Sequence, residues 1–314
     1  RGDIVVAKTD PPLLCVTLSH VAGWRGATLI NWLQDVFPEV AVTLAPGALP
    51  RPLQAPLMSL RDRSLKRAAM NIVLSEGMRG RIHARGVDAG KTLVIPNWAD
   101  TKALTPRPIG ASFTRRRLGL AGRFVIGYSG NFGRAHEFDT LLAAAKLLEG
   151  DTRFAFVMTG GGARSKDLQD AVDQARLTNF HFQGYQPAPL LPDSMAAADI
   201  HLVSLRPALE GLIVPSKVYG ILAAGRPVLF IGDTAGDVAQ LIREHGCGIS
   251  LRVGAGAELA QQLRSLQADP ARVQLMGTNA RRLALARYTS EHAARDWLRL
   301  LAQITHPEAV EQYS

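Results

Sequence analysis

The chain has 314 residues, of which 47% are hydrophobic and 20% charged, with a formal charge of +9 at neutral pH. That balance fits a folded chain with room for two domains and excludes a disordered one. No apolar run reaches the length of a membrane span, and the two cysteines, Cys15 and Cys247, read as reduced core thiols with no disulfide framework or zinc site.

In chain order, Asp3–Ala7 reads as a buried strand and Pro11–Val21 as the helix after it. Ala27–Leu33 is a second strand, followed by a Pro-rich loop around Pro46–Pro56 and a basic helix near Leu57–Ala69. Strand Asn71–Ser75, helix Glu76–Arg85 and strand Thr92–Ile95 complete a short α/β layer. Asn97–Leu120 carries three turn formers and reads as a connection into a second α/β domain. Its strands are expected at Phe124–Tyr128, Phe154–Thr159, Asn179–Gln183, Ala198–Leu205, Pro227–Gly232 and Cys247–Leu251. Helices are expected over Phe138–Leu148, Arg164–Arg176 and Leu190–Ala197, then over Gly256–Ala268, Pro270–Tyr288 and Glu291–Thr305. The expected division is a first domain over 1–107, a second over 108–289, and a C-terminal helical segment over 290–314.

The stretch E-G-L-I-V-P-S-K-V-Y-G-I-L-A-A-G-R-P (Glu210 to Pro227) lies between two of those strands. Ser216 to Ala224 reads as a short helix with Ser216 as N-cap and Gly225 as its end. Lys217 then falls in the first turn, where the helix end is already positive. The cost is understandable if an anion binds there; otherwise Lys217 points into solvent. Gly130 to Arg134, after the first strand of the second domain, is the other candidate. Glycines there admit phosphate close to backbone N–H groups, and Arg134 offers a charged fork, or the segment is a plain tight turn. Asp10 before Pro11, and Asp35 after the second strand, read as helix caps or as groups facing a ligand.

Together with T-D-P-P (Thr9 to Pro12), Q-D-V-F-P-E, I-P-N-W-A-D, G-Y-S-G-N-F-G (Gly127 to Gly133), G-Y-Q-P and A-A-A-D-I, this block resembles the retaining GT-B glycosyltransferases of family 4, also called group 1. It looks most like the bacterial branch that builds O-antigen, capsule and exopolysaccharide. The resemblance implies two Rossmann-like domains facing a cleft, the first of them incomplete, because several βα units precede T-D-P-P in the family. It implies transfer of a hexosyl or N-acetylhexosaminyl group from a nucleoside-diphosphate sugar, with UDP the expected nucleotide, to an acceptor hydroxyl. Glu210 matches the first glutamate of the family's E-x7-E motif, which contacts donor-sugar hydroxyls. With Lys217 it forms the expected catalytic pair. Gly130, Asn131, Gly133, Arg134, Gly161, Tyr185, Gly211, Leu212, Ile213, Val214 and Ser216 are implied on the donor side, Asp10 and Asp35 on the acceptor side. Two departures stand out: the second motif glutamate is missing, and the family's arginine and lysine on the donor diphosphate are replaced by Asn131 and His136. The final helix is implied to return to the first domain.

No metal and no cofactor beyond the substrate is expected, since no D-x-D triplet occurs. R-G-V-D-A-G-K-T (Arg85 to Thr92) imitates a phosphate loop but precedes a strand instead of following one. No glycine segment has dinucleotide spacing, so a dehydrogenase is disfavoured. A non-catalytic nucleotide-sugar-binding fragment and, below it, a GT-B-type epimerase stay open as alternatives. Basic clusters at Arg61–Arg67, Arg79–Arg85 and Arg115–Arg117 read either as solvated helix faces or as a surface for anionic lipid. They lack the aromatic platform that nucleic-acid binding would need. The expected setting is the cytoplasm, peripheral to the inner face of the plasma membrane, with a lipid-linked saccharide as acceptor.

Overall fold

The computed structural model describes residues 2–306. Short apolar runs alternating with helices produce two sheets in which every strand pairing is parallel. The first sheet has four strands in sequence order: β1 (Ile4–Lys8), β2 (Thr28–Trp32), β3 (Met70–Val73) and β4 (Thr92–Val94). The second has β5 (Phe124–Asn131), β6 (Phe154–Gly161), β7 (Phe180–Gln183), β8 (Ile200–Ser204), β9 (Val228–Gly232) and β10 (Gly248–Arg252). Their spatial order is β10-β9-β8-β5-β6-β7. Strands β8 and β9 are buried at every position, as expected when helices cover both faces of a parallel sheet.

The chain forms two compact units. The first comprises Arg1–Asn97, Ala208–Val214 and Ser290–Ser314; the second comprises Trp98–Pro207 and Pro215–Thr289. Arg1 and the expected C-terminal residues 307–314 lie outside the described residues. In the first unit, the helix Ser290–Thr305 buries Ala293 and Leu300 with Ile30, Ile72 and Ile95 of the sheet. Trp297 meets Trp32 edge to face at 5.2 Å between ring centroids. Burying a leucine such as Leu300 contributes about 1.5–3 kcal/mol to that packing.

The division differs from the expected boundary at residue 107 and adds an excursion. Residues 98–107 pack with the second unit because Arg281 donates to the carbonyls of Thr101 and Leu104, and Arg226 to that of Arg107. Residues 208–214 pack with the first, because Val36 N–H donates to Leu212 O at 2.8 Å and the Arg81 fork grips Glu210 O.

Two local expectations also change. The Pro-rich loop is shorter than expected: a helix starts at Arg51 and runs to Arg67. Pro52 sits in its first turn, where no N–H is needed, and Pro56 forfeits one backbone bond. The basic clusters are largely internal ties. Arg61, 3% exposed, bonds Glu39 at 2.6 Å and Asp62 at 2.7 Å. Arg85 pairs with Asp62, Arg79 with Glu76, and buried Arg115 with Asp199. Arg63, Lys66 and Arg67 stay exposed on their helix. No helix among the described residues is long and apolar enough to cross a membrane.

Candidate active site

From β5 the chain moves outward through β6 to β7, then crosses back to β8 and moves the opposite way through β9 to β10. Loops leaving the carboxyl ends of β5 and β8 therefore diverge, which opens a crevice at that edge. The β5 loop is fastened across it. His136 Nδ1 lies 2.7 Å from Ser204 O, Glu137 N–H donates to Ser204 Oγ, and Arg206 N–H donates to Ala135 O.

Lys217 enters the crevice from the start of the helix Lys217–Ala223. Its Nζ donates to Tyr128 Oη at 2.8 Å and to His136 Nε2 at 2.9 Å, and lies 4.4 Å from the centroid of the Tyr128 ring. The bond from Nδ1 to the Ser204 carbonyl fixes the imidazole as the Nδ1–H tautomer, leaving Nε2 as a lone-pair acceptor. Burial, reinforced by the Lys217 charge, pushes the His136 pKa down to about 4, so the ring is neutral. The Tyr128 hydroxyl in turn donates to Asn131 O at 2.6 Å, and burial raises its pKa. Both hydrogen-bond partners of the ammonium are neutral, and burial lowers the Lys217 pKa to about 7. A cation held this way is short of one anion.

The surrounding glycines set the floor. A Cβ on Gly160, at φ 131°, would sit 2.0 Å from Gly130 O, and one on Gly162, at φ 141°, would sit 2.1 Å from Asn131 Oδ1. Only glycines allow the ends of β5 and β6 to come this close. Gly130 lies against the Lys217 stem, 3.3 Å from Cε for an added Cβ. The Tyr185 hydroxyl donates to Gly161 O at 2.9 Å while the residue remains 65% exposed, so an aromatic body borders the glycine end of β6.

Of the residues singled out in the sequence, Gly130, Asn131, Gly133, Gly161, Tyr185 and Lys217 gather at this edge. Arg134 is exposed. Arg164, which the sequence reading passed over, instead donates to His136 O at 3.2 Å. Ser216 is not a side-chain cap: its own φ and ψ are helical (−57°, −20°) and it makes no capping bond. The turn tightens around Pro215, whose carbonyl takes the Val218 N–H.

Glu210 through Val214 fall in the first unit. Gly211, at φ 72°, is held against Gly77 O, where a Cβ would come within 2.9 Å. The N–H groups of Leu212 and Ile213 are both directed to Leu209 O, so these two are committed within the turn. Ile213 also forms an antiparallel bridge with Asp35. Asp35 caps nothing: the nearest helix begins at Glu39 with Pro38 in the capping position. Its pKa is raised by burial and then by the Asp10 charge. Asp10 is exposed and does not cap either, since the following helix starts only at Leu14. Tyr128 lay inside the G-Y-S-G-N-F-G motif without being singled out, and Ser204 carried no sequence signal, being one strand end among many.

Two parallel α/β units with this second-sheet topology are those of the GT-B glycosyltransferases. A crystal structure of HepE from Anabaena with UDP and glucose matches over 96% of this chain and 78% of its own, with a TM-score of 0.78 at 20% identity. A sucrose-phosphate synthase from Thermosynechococcus elongatus matches over 96% of this chain and 73% of its own with a TM-score of 0.74 at 20% identity. Residues 123–269 match the family model for glycosyl transferases group 1. That match covers just under half of the chain, and the fold is that of the GT-B glycosyltransferases, as the sequence motifs suggested. The probable glycosyltransferase WbjE of Pseudomonas aeruginosa is 28% identical over 254 residues, 79% of this chain and 62% of that protein. A 2-deoxystreptamine glucosyltransferase of Streptomyces kanamyceticus is 30% identical over 230 residues, 70% of this chain and 57% of its own. The chain thus spans about three fifths of the length of these curated relatives.

The depressed Lys217 pKa has a consequence for stability. Below about 7 the ammonium is charged in both folded and unfolded chains, and the cost of burying it is present in full. Between about 7 and the ordinary 10.5 the unfolded chain holds one more proton, so this group makes stability rise with pH. Lys217→Met removes that rise. Relative to the variant, the wild-type Tm should climb by at least ~2 °C between pH 6.5 and 10, the shift that about 1 kcal/mol produces in a large domain. Parallel Tm profiles would show that Lys217 titrates normally.

Proposed function

We propose that this chain transfers a sugar from a nucleoside-diphosphate sugar, UDP-linked, to an acceptor hydroxyl with retention of configuration. The observation that carries this reading is the Lys217 ammonium, held by neutral partners at the carboxyl edge of the second sheet. The bond from the sugar C1 to the diphosphate breaks, and positive charge develops at C1 while negative charge develops on the departing phosphate. A preorganised cation in a part-buried crevice stabilises that charge without rearranging, the kind of term that usually dominates catalysis. The acceptor oxygen bonds C1 on the face the phosphate leaves, and its proton passes to that phosphate.

Tyr185 would flank the nucleoside, and Gly130 and Gly161 would admit the phosphates. Glu210 keeps its assignment to the sugar hydroxyls on the strength of the motif resemblance. The charge on the diphosphate is assigned to Lys217 and not to a metal, and the transferred group to a hexosyl or N-acetylhexosaminyl residue. Likeness to WbjE and to the putative colanic acid biosynthesis glycosyl transferase WcaI of Escherichia coli supports a role in bacterial surface polysaccharide synthesis on a lipid-linked acceptor. Exposed Arg63, Lys66 and Arg67 support peripheral contact with an anionic inner membrane face. Sedimentation with anionic vesicles, lost at high salt and absent with neutral vesicles, tests that part; equal binding to both would remove it.

Calorimetry with UDP in the presence of chelator tests the donor site. The wild type should bind, and Lys217→Met should weaken binding by roughly 1.5–3 kcal/mol, the scale of a charge-assisted hydrogen bond. Equal affinity in the two proteins would take Lys217 out of the site.

A further inference from the structure

At the amino edge of the second sheet lies a cavity of about 1070 Å³, formed entirely within the second unit. Phe124 opens β5 there, Asp199 precedes β8, and Pro227 precedes β9. Phe124 and Asn131 stand at opposite ends of one eight-residue strand, so the cavity and the Lys217 crevice are separated by ~23 Å. A molecule in this cavity cannot touch the reacting atoms proposed above.

Its walls combine two chemistries. Ile109, Phe124, Leu266, Val273 and Leu285 supply an apolar side. Arg107, Arg115, Arg123, Arg226, Arg281 and Arg282 face one carboxylate, Asp199. That carboxylate is already engaged, by Arg115 Nη1 at 2.9 Å and by Val125 N–H at 2.7 Å. Arg115 and Arg281 are tied to backbone carbonyls and serve the fold. The other four have no ion pair among the described residues.

Arg226 separates this arrangement from an ordinary basic surface. It is only 8% exposed, its Nη2 donates to Arg107 O, and its Nε has no hydrogen-bond partner. Burial holds its guanidinium below the ordinary pKa, and the Arg115 charge adds to that, with Asp199 opposing. A buried guanidinium donor without an acceptor is costly, and cost of this kind is removed by a bound anion. Guanidinium forks match the oxygens of a phosphate, and several of them together match a dianion better than a monoanion.

We propose that this cavity is a binding site for an organic phosphate monoester with an apolar body, distinct from the donor site. Its position makes the ligand an effector or an anchor, not a reactant.

Fluorescence titration with 2-naphthyl phosphate tests it on the whole chain. This probe should bind at least tenfold more tightly than 2-naphthol, which lacks the charge, and than inorganic phosphate, which lacks the ring. Arg123→Gln combined with Arg282→Gln should weaken the probe at least tenfold without changing UDP affinity. Arg226→Gln should do the same wherever circular dichroism shows it folded, and the double variant decides if it is not. Saturating UDP should leave the probe bound. Phosphatidylcholine vesicles with and without phosphatidic acid distinguish the source. Displacement by the phosphatidic acid vesicles alone assigns a lipid headgroup, and no displacement assigns a free phosphate. Equal binding of naphthol, no effect of the double variant, or displacement of the probe by UDP would each overturn the proposal.

Discussion

The account depends on one interaction: an ammonium held in a part-buried crevice by a phenol and a neutral imidazole. Lys217 is fixed by hydrogen bonds to Tyr128 and His136, and neither can neutralise it. His136 cannot share the charge, because burial and the Lys217 charge itself hold its pKa down at about 4. Tyr128 cannot supply a phenolate, because burial raises its pKa and its O–H is engaged as a donor to Asn131 O. The site therefore stores a deficit of one negative charge. Binding an anion repairs it, and the repair is strongest where that anion gains charge during the reaction.

What places that ammonium is the topology of the second sheet. The reversal of strand order between β5 and β8 opens the crevice, and the β5 loop is held over it through Ser204. The same reversal leaves the amino ends of β5, β8 and β9 together on the opposite edge, where the arginine-lined cavity forms. In each place a cation is incompletely satisfied. At the carboxyl edge it is a lysine, which can yield its proton; at the amino edge it is arginine, which cannot.

The sequence conveyed the strand positions well, because parallel strands buried on both faces appear as short apolar runs between helices. All ten observed strands lie within three residues of the expected ones. It conveyed Lys217 and the glycines too, through order and spacing of short motifs. It was weaker where a side chain's role depends on who sits opposite. Ser216 has the composition of an N-cap, yet its backbone is already helical and its side chain makes no capping bond. Arg134 was legible as a charge on the β5 loop, whereas Arg164, thirty residues on, ties that loop through the His136 carbonyl and had no local signal. His136 was visible only as a departure from a pattern, and its meaning came from Ser204, a long-range partner. The helix Asp237–His245 was legible but not assigned: an acidic first turn, a basic last turn and a glycine, Gly246, just past its end mark it plainly. The basic clusters could not be sorted from sequence because net charge does not report pairing: Glu39, Asp62 and Asp199 neutralise their buried members, while Arg63, Lys66 and Arg67 stay exposed.

The central claim is that Lys217 lacks an anion in the free protein and gains one when the donor's phosphates bind. The direct measurement is an NMR titration of the Lys217 side chain, labelled at Cε, from pH 5 to 11 with and without UDP. The account predicts a pKa of about 7 in the free protein, rising by at least about two units when UDP is bound, as a nearby opposite charge produces. A free-protein value near the ordinary 10.5, or a value that UDP leaves unmoved, would contradict it.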